Sequence, residues 1–133
     1  METSYPVDPT CWMIVRAAQG HDREARCIVG KLIYSMNVSL DGFVETTNHS
    51  LDWANVDEEL HRWFNDQART LDASLYGRRM YEVMAGYWPT GEDDPAGTDV
   101  MREFSRIWKP MPKIVFSTTL DRVEHNARLV SGD

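Results

Sequence analysis

The order of elements in this sequence predicts an α/β fold with much parallel strand pairing. Two observations carry that reading. Short apolar stretches such as Leu32-Ile33-Tyr34 and Ile114-Val115-Phe116 have strand character. Between them lie segments whose apolar residues recur at helical spacing. A helix between two strands is the connection that makes the strands parallel, so the expected product is a sheet with helices packed on it.

Taken in order, the first 29 residues show no sustained period. Pro6 and Pro9 break the opening, and Arg16 to Arg26 mixes Ala with charges. This stretch is expected to be a poorly ordered extension, with a partner-binding arm using Trp12, Met13 and Ile14 as the other reading. The body is residues 30–133. Lys31 to Val38 reads as a strand, Ser39-Leu40-Asp41-Gly42 as a turn, and Phe43 to Thr46 as a second extended piece. A helix follows, with Asn55 as its N-cap and Glu58 completing a capping box. Asp57, Glu58 and Glu59 suit the positive end of its dipole. Leu60, Trp63, Phe64, Ala68 and Leu71 form its apolar face.

Ala73 to Tyr76 is a short strand ended by Gly77. Arg79 to Tyr87 is a second helix, with Met80, Val83, Met84 and Tyr87 on one side and Pro89 closing it. Thr98 caps a third helix with the stripe Val100, Met101, Phe104, Ile107 and Trp108, and Lys109-Pro110 stops it. Lys113 to Ser117 is a buried strand, Asp121-Arg122 turns the chain, and Ala127 to Val130 is another strand.

Composition excludes several classes of function. Of 133 residues, 26% are charged and 42% hydrophobic, which is globular rather than disordered composition. Fourteen basic residues against twenty-one acidic ones leave a net charge of −7, so no nucleic-acid partner is expected. No apolar run approaches the roughly 20 residues of a membrane span. Cys11 to Val15 falls short of the roughly 7–15 residues of a signal-peptide core. Cys11 and Cys27 make no disulfide framework, and the chain reads as cytoplasmic. His21, His49, His61 and His125 lack metal-ligand spacing, so no metal is expected.

Three places could carry chemistry. At Gly77-Arg78-Arg79 a glycine ends a buried strand and a helix begins. The free N–H groups of that first turn, with two guanidinium forks, suit a phosphate; a solvated basic pair after a turn is the competing reading. Ser117-Thr118-Thr119 ends another buried strand, where ligands gather in open α/β sheets; plain turn chemistry is the alternative. Asp41 in Ser39-Leu40-Asp41-Gly42 offers a carboxylate that could orient a polar substrate or relay a proton, or it is an ordinary Asp-Gly turn.

These pieces occur in an order that resembles the dihydrofolate reductase-like family, in particular its riboflavin-biosynthesis (RibD C-terminal) reductase branch. The matching stretches are Lys31 to Val44, Leu51-Asp52-Trp53, Ala73 to Glu82 and Met111 to Thr119. The resemblance implies a three-layer α/β/α sandwich with a mostly parallel central sheet, incomplete at the C-terminus. It implies an NADPH-dependent hydride transfer to a pterin-like or aminopyrimidine small molecule, of the 5-amino-6-(5-phosphoribosylamino)uracil reductase type. Gly77, Arg78 and Arg79 would meet the cofactor phosphates, and Ser117 and Thr118 its 2′-phosphate. Asp41 would be catalytic, with Asp41, Gly42 and Trp53 lying at the substrate.

Leu60 stands where dihydrofolate reductases carry a carboxylate, with Glu59 one residue away, which points away from folate. Family members continue past the position of Asp133. The chain therefore reads as the N-terminal portion of such a domain, with weak or no reductase activity alone. The alternative is an inactive nucleotide-binding fragment, or one that forms a homodimer through an open sheet edge.

Overall fold

The structure is a computed structural model that describes residues 12–16, 30–51 and 53–132. Among these described residues five strands and three helices follow in the order β1 (Trp12–Arg16), β2 (Lys31–Ser35), α1 (Glu58–Arg69), β3 (Ala73–Gly77), α2 (Arg78–Tyr87), α3 (Asp99–Trp108), β4 (Lys113–Phe116) and β5 (Ala127–Val130). They form one sheet in the order β2-β1-β3-β4-β5. β3, β4 and β5 are parallel, with Tyr76 opposite Val115 and Val115 opposite Leu129. β1 is antiparallel to both of its neighbours, so β2 runs in the same direction as β3. The fold is α/β, as expected, and β1 alone opposes the other four strands.

β1 corrects the reading of residues 1–29 as a poorly ordered extension. Trp12–Arg16 lies between β2 and β3, paired with both; the rest of that stretch is outside the described residues. Trp12 to Val15 is a short apolar run with no alternation for a sequence reading to detect. β2 stops at Ser35, short of Val38, and Phe43 to Thr46 is not a strand. The reason lies in the turn between them. Ser39 N–H donates to Phe43 O at 2.8 Å, and Ser39 Oγ accepts from Phe43 N–H at 2.9 Å. The backbone groups that a hairpin would need are consumed in closing the turn.

Side chains alternate across a strand, so Tyr76 and Val115 share one sheet face. On that face a single core gathers Ala68 of α1, Met80, Tyr81 and Met84 of α2, and Phe104 and Trp108 of α3. The described helices thus form one layer. On the opposite face Leu75 is buried, while Phe116 is 47% exposed. Trp108 and Val115 are fully buried at the centre; truncating a tryptophan so placed costs about 3–5 kcal/mol.

α1 begins at Asp57, whose side chain accepts from Leu60 N–H at 2.8 Å. Asp57 thus holds the cap position expected of Asn55. The buried face of α1 is also rotated by one residue from the expected stripe. Asn65 and Ala68 are buried, whereas Leu60 and Trp63 are exposed. Asn65 Nδ2 donates to Val100 O at 3.0 Å and to Glu103 Oε2 at 2.7 Å on α3. His61 sets its ring edge-on to Trp88 and Phe104, with centroids 6.0 and 5.9 Å away. α1 meets α3 through these polar and aromatic contacts.

A buried lysine closes the start of β4. Lys113 is 2% exposed, and its Nζ donates to three carbonyls, Trp108 O at 2.6 Å, Met111 O at 2.8 Å and His125 O at 2.9 Å. It also lies 3.9 Å from the Trp108 ring centroid, a cation–π distance. Trp108 is the last residue of α3, and its carbonyl would normally accept from the residue four places on. That residue is Pro112, which has no N–H. His125 and Asn126 both hold positive φ, 58° and 57°, and this turn presents the His125 carbonyl to the ammonium.

Candidate functional site

The carboxyl ends of β2, β3, β4 and β5 fall at one edge of the sheet, because these four strands share a direction. Three of the connections leaving that edge carry the residues singled out in the sequence. Gly77 pairs with Phe116 at the ends of β3 and β4. Gly77-Arg78-Arg79 and Ser117-Thr118 therefore leave neighbouring strands side by side. The turn with Asp41 and Gly42 follows β2 at the same edge.

Gly77 is both the last residue of β3 and the N-cap of α2. Its φ of −76° and ψ of 167° suit any residue, so this junction does not require a glycine-only backbone conformation. What its missing side chain leaves is an uncapped helix start: α2 has no side-chain cap bond. A Cβ at Gly77 would meet nothing within 4 Å, so the approach is open. Uncapped N–H groups at the positive end of a helix favour an anion. Arg78 is exposed, and Arg79 is half-buried beside it.

Ser117 is held by its surroundings. Its N–H donates to Val130 O at 3.1 Å, and its Oγ accepts from the N–H groups of Thr119 and Leu120, both at 3.1 Å. The hydroxyl thus shapes the turn after β4 and keeps its proton for another acceptor; Thr119 Oγ1 is within reach at 3.3 Å. Thr118 is exposed. The connection after this turn is fastened to α2, since the Tyr81 hydroxyl donates to Glu124 O at 3.1 Å and accepts from Glu124 N–H at 2.7 Å.

Asp41 is exposed and accepts from Ser39 Oγ at 2.6 Å within its own turn. Gly42 takes φ +91°, a left-handed conformation that glycine adopts without strain. Trp53 is half-buried and donates from Nε1 to Val44 O at 3.3 Å, fastening the loop that carries Asp41. The bond between this loop and the arginine pair comes from a residue that sequence reasoning missed. Glu45 Oε2 accepts from Arg79 at 3.3 Å, and Glu45 Oε1 lies 2.6 Å from His49 Nδ1. Glu45 and Arg79 are 34 residues apart, and no local pattern signals the pair.

A cleft of about 350 Å³ lies at the opposite edge, lined by Ala73, Pro112, Lys113, Ile114, Asn126, Ala127 and Arg128. It contains none of the residues proposed for catalysis or phosphate binding. No helix among the described residues is long and apolar enough to cross a membrane.

Residues 30–133 match the family model described as the RibD C-terminal domain. The chain is 30% identical over 101 residues to the uncharacterized protein YyaP of Bacillus subtilis (strain 168). That alignment covers 76% of this chain and 50% of YyaP, so the chain spans about half the length of this relative. No solved structure matches.

Proposed function

Since the chain belongs to the RibD C-terminal domain family, we propose that it binds NADPH at the carboxyl edge of its sheet. In this reading it serves the reduction of an aminopyrimidine or pterin-like ring by hydride transfer. The observation that carries this reading is the pairing of Gly77 with Phe116, which sets the bare start of α2, with Arg78 and Arg79, next to Ser117 and Thr118. Open space over Gly77, uncapped helix N–H groups, guanidinium groups and hydroxyls are the donor set that a phosphorylated nucleotide needs.

In this reading Arg78 and Arg79 hold phosphate, Ser117 and Thr118 donate to the 2′-phosphate, and Trp53 steadies the loop that brings Asp41 and Gly42 to the substrate. Asp41 orients a polar ring or holds a proton for it. A nicotinamide held there would supply a hydride, and the protein's part would be to align acceptor and donor and exclude water. The substrate is a small molecule, and a homodimer is the assembly that would cover an open sheet edge.

The test is thermal unfolding of the chain with NADPH and with NADH. A ligand that binds only the folded state raises the midpoint by mass action. NADPH should raise it more than NADH, and an Arg78→Ala/Arg79→Ala pair should reduce the shift that NADPH gives. A cooperative transition indifferent to both nucleotides would remove the cofactor assignment.

A further inference from the structure

Glu45 is paired with Arg79. Its side chain is 19% exposed, against 42% for Arg79, so the carboxylate is the more enclosed partner of the two. Their 3.3 Å separation is long for a charge-assisted bond, which runs about 2.7–2.9 Å, and a half-exposed pair of this kind adds little stability. An anion arriving at the start of α2 meets Arg78 and the helix dipole, but it finds the charge of Arg79 already opposed.

The carboxylate has somewhere to go. Glu45 Oε1 is 2.6 Å from His49 Nδ1, and residues 46–50 close on themselves independently of α2. His49 N–H donates to Thr46 O at 2.8 Å, and Thr46 N–H to Ser50 O at 3.0 Å. Thr46 Oγ1 accepts from Ser50 N–H at 3.0 Å. If Glu45 lets go of Arg79, it keeps His49, and the loop keeps its own bonds. Release leaves no buried carboxylate without a partner, so the contact is cheap to exchange for a phosphate.

We infer that Glu45 is a specificity-determining residue, an internal competitor for Arg79 that lowers the affinity of this edge for phosphate until an anion displaces it. The inference rests on the reading of Arg78 and Arg79 as phosphate ligands. Exchange would also untie the loop that carries Asp41 from α2, coupling cofactor binding to the freedom of the substrate side.

The test is calorimetric titration of inorganic pyrophosphate, NADPH and NADH into the wild-type chain, Glu45→Gln, and Glu45→Gln in an Arg79→Ala background. Thermal midpoints establish that each variant folds. Removing one negative charge close to the bound anion should tighten pyrophosphate and NADPH on the order of tenfold at low salt, less at high salt. The gain should be absent without Arg79. If Glu45→Gln leaves wild-type NADPH binding unchanged or weakens it, this inference falls and the cofactor reading stands. If Glu45→Gln tightens pyrophosphate but neither chain binds NADPH, the competitor stands and the cofactor reading falls. If neither chain binds either probe, both fall.

Discussion

Replacing Lys113 by Met keeps the length of the side chain and removes its charge and donors. The ammonium serves three carbonyls. One of these, Trp108 O, has lost its helical donor to Pro112. Each carbonyl left unpartnered in a buried site costs about 1–3 kcal/mol. Against that loss stands relief from burying a charge. Burial pulls the Lys113 ammonium down from 10.5 to about 8, a penalty of about 3 kcal/mol. The three carbonyls and the Trp108 face oppose it and keep the group charged at neutral pH. The balance predicts that Lys113→Met destabilises the chain by about 2–4 kcal/mol, or on the order of 10–20 °C in midpoint for a domain of this size. Thermal unfolding at pH 7, followed by circular dichroism, reads this directly. A variant as stable as wild type would show that the carbonyl cage is dispensable and that Lys113 is merely tolerated there.

The same residue gives a pH signature. Its folded value lies below its unfolded one, so between about pH 8 and 10.5 the unfolded chain holds the extra proton and stability rises with pH. The stability of wild type relative to Lys113→Met should therefore increase across that window; a falling difference would mean that the carbonyls outweigh burial. Gly91→Ala should cost about 1–3 kcal/mol, because a Cβ there would sit 2.7 Å from Ser105 Oγ and 2.8 Å from Tyr87 Cε1. Adding Ser105→Ala should recover part of it, since that hydroxyl is buried with no partner among the described residues, and full additivity of the two changes in urea melts would refute the clash. Asn65→Leu should lose about 1–3 kcal/mol through its bonds to Val100 O and Glu103, and an unchanged urea midpoint would count against it.

Much of the fold was legible in local pattern. The stripes of α2 and α3 put Met80, Met84, Phe104 and Trp108 in the core where they were expected. α1 was misread by one residue because counting apolar positions favours Leu60 and Trp63. The helix instead buries Asn65, whose partners lie on α3. β1 escaped because the short run Trp12 to Val15 has no alternation to detect and its partners in β2 and β3 are brought to it only by the fold. At the candidate site, Gly77 and Ser117 could each be picked out alone, but their adjacency exists only through the pairing of β3 with β4. Glu45 could not be found at all, since a carboxylate in a polar loop has no signature until the fold brings Arg79 to it.

The placement of β1 makes the sheet unevenly sewn. β1 pairs with β2 over five residues and with β3 over only three. β2 reaches the rest of the sheet through β1 alone. The β1–β2 ribbon should therefore peel away as a unit, along the shorter seam, before the parallel strands open. Amide hydrogen exchange would show this as a shared, lower protection for Lys31 to Ser35 than for Ala73 to Tyr76. Glu45 and Arg79 then form a lateral stitch across that seam, and whatever loosens the stitch lowers the work needed to lift the ribbon.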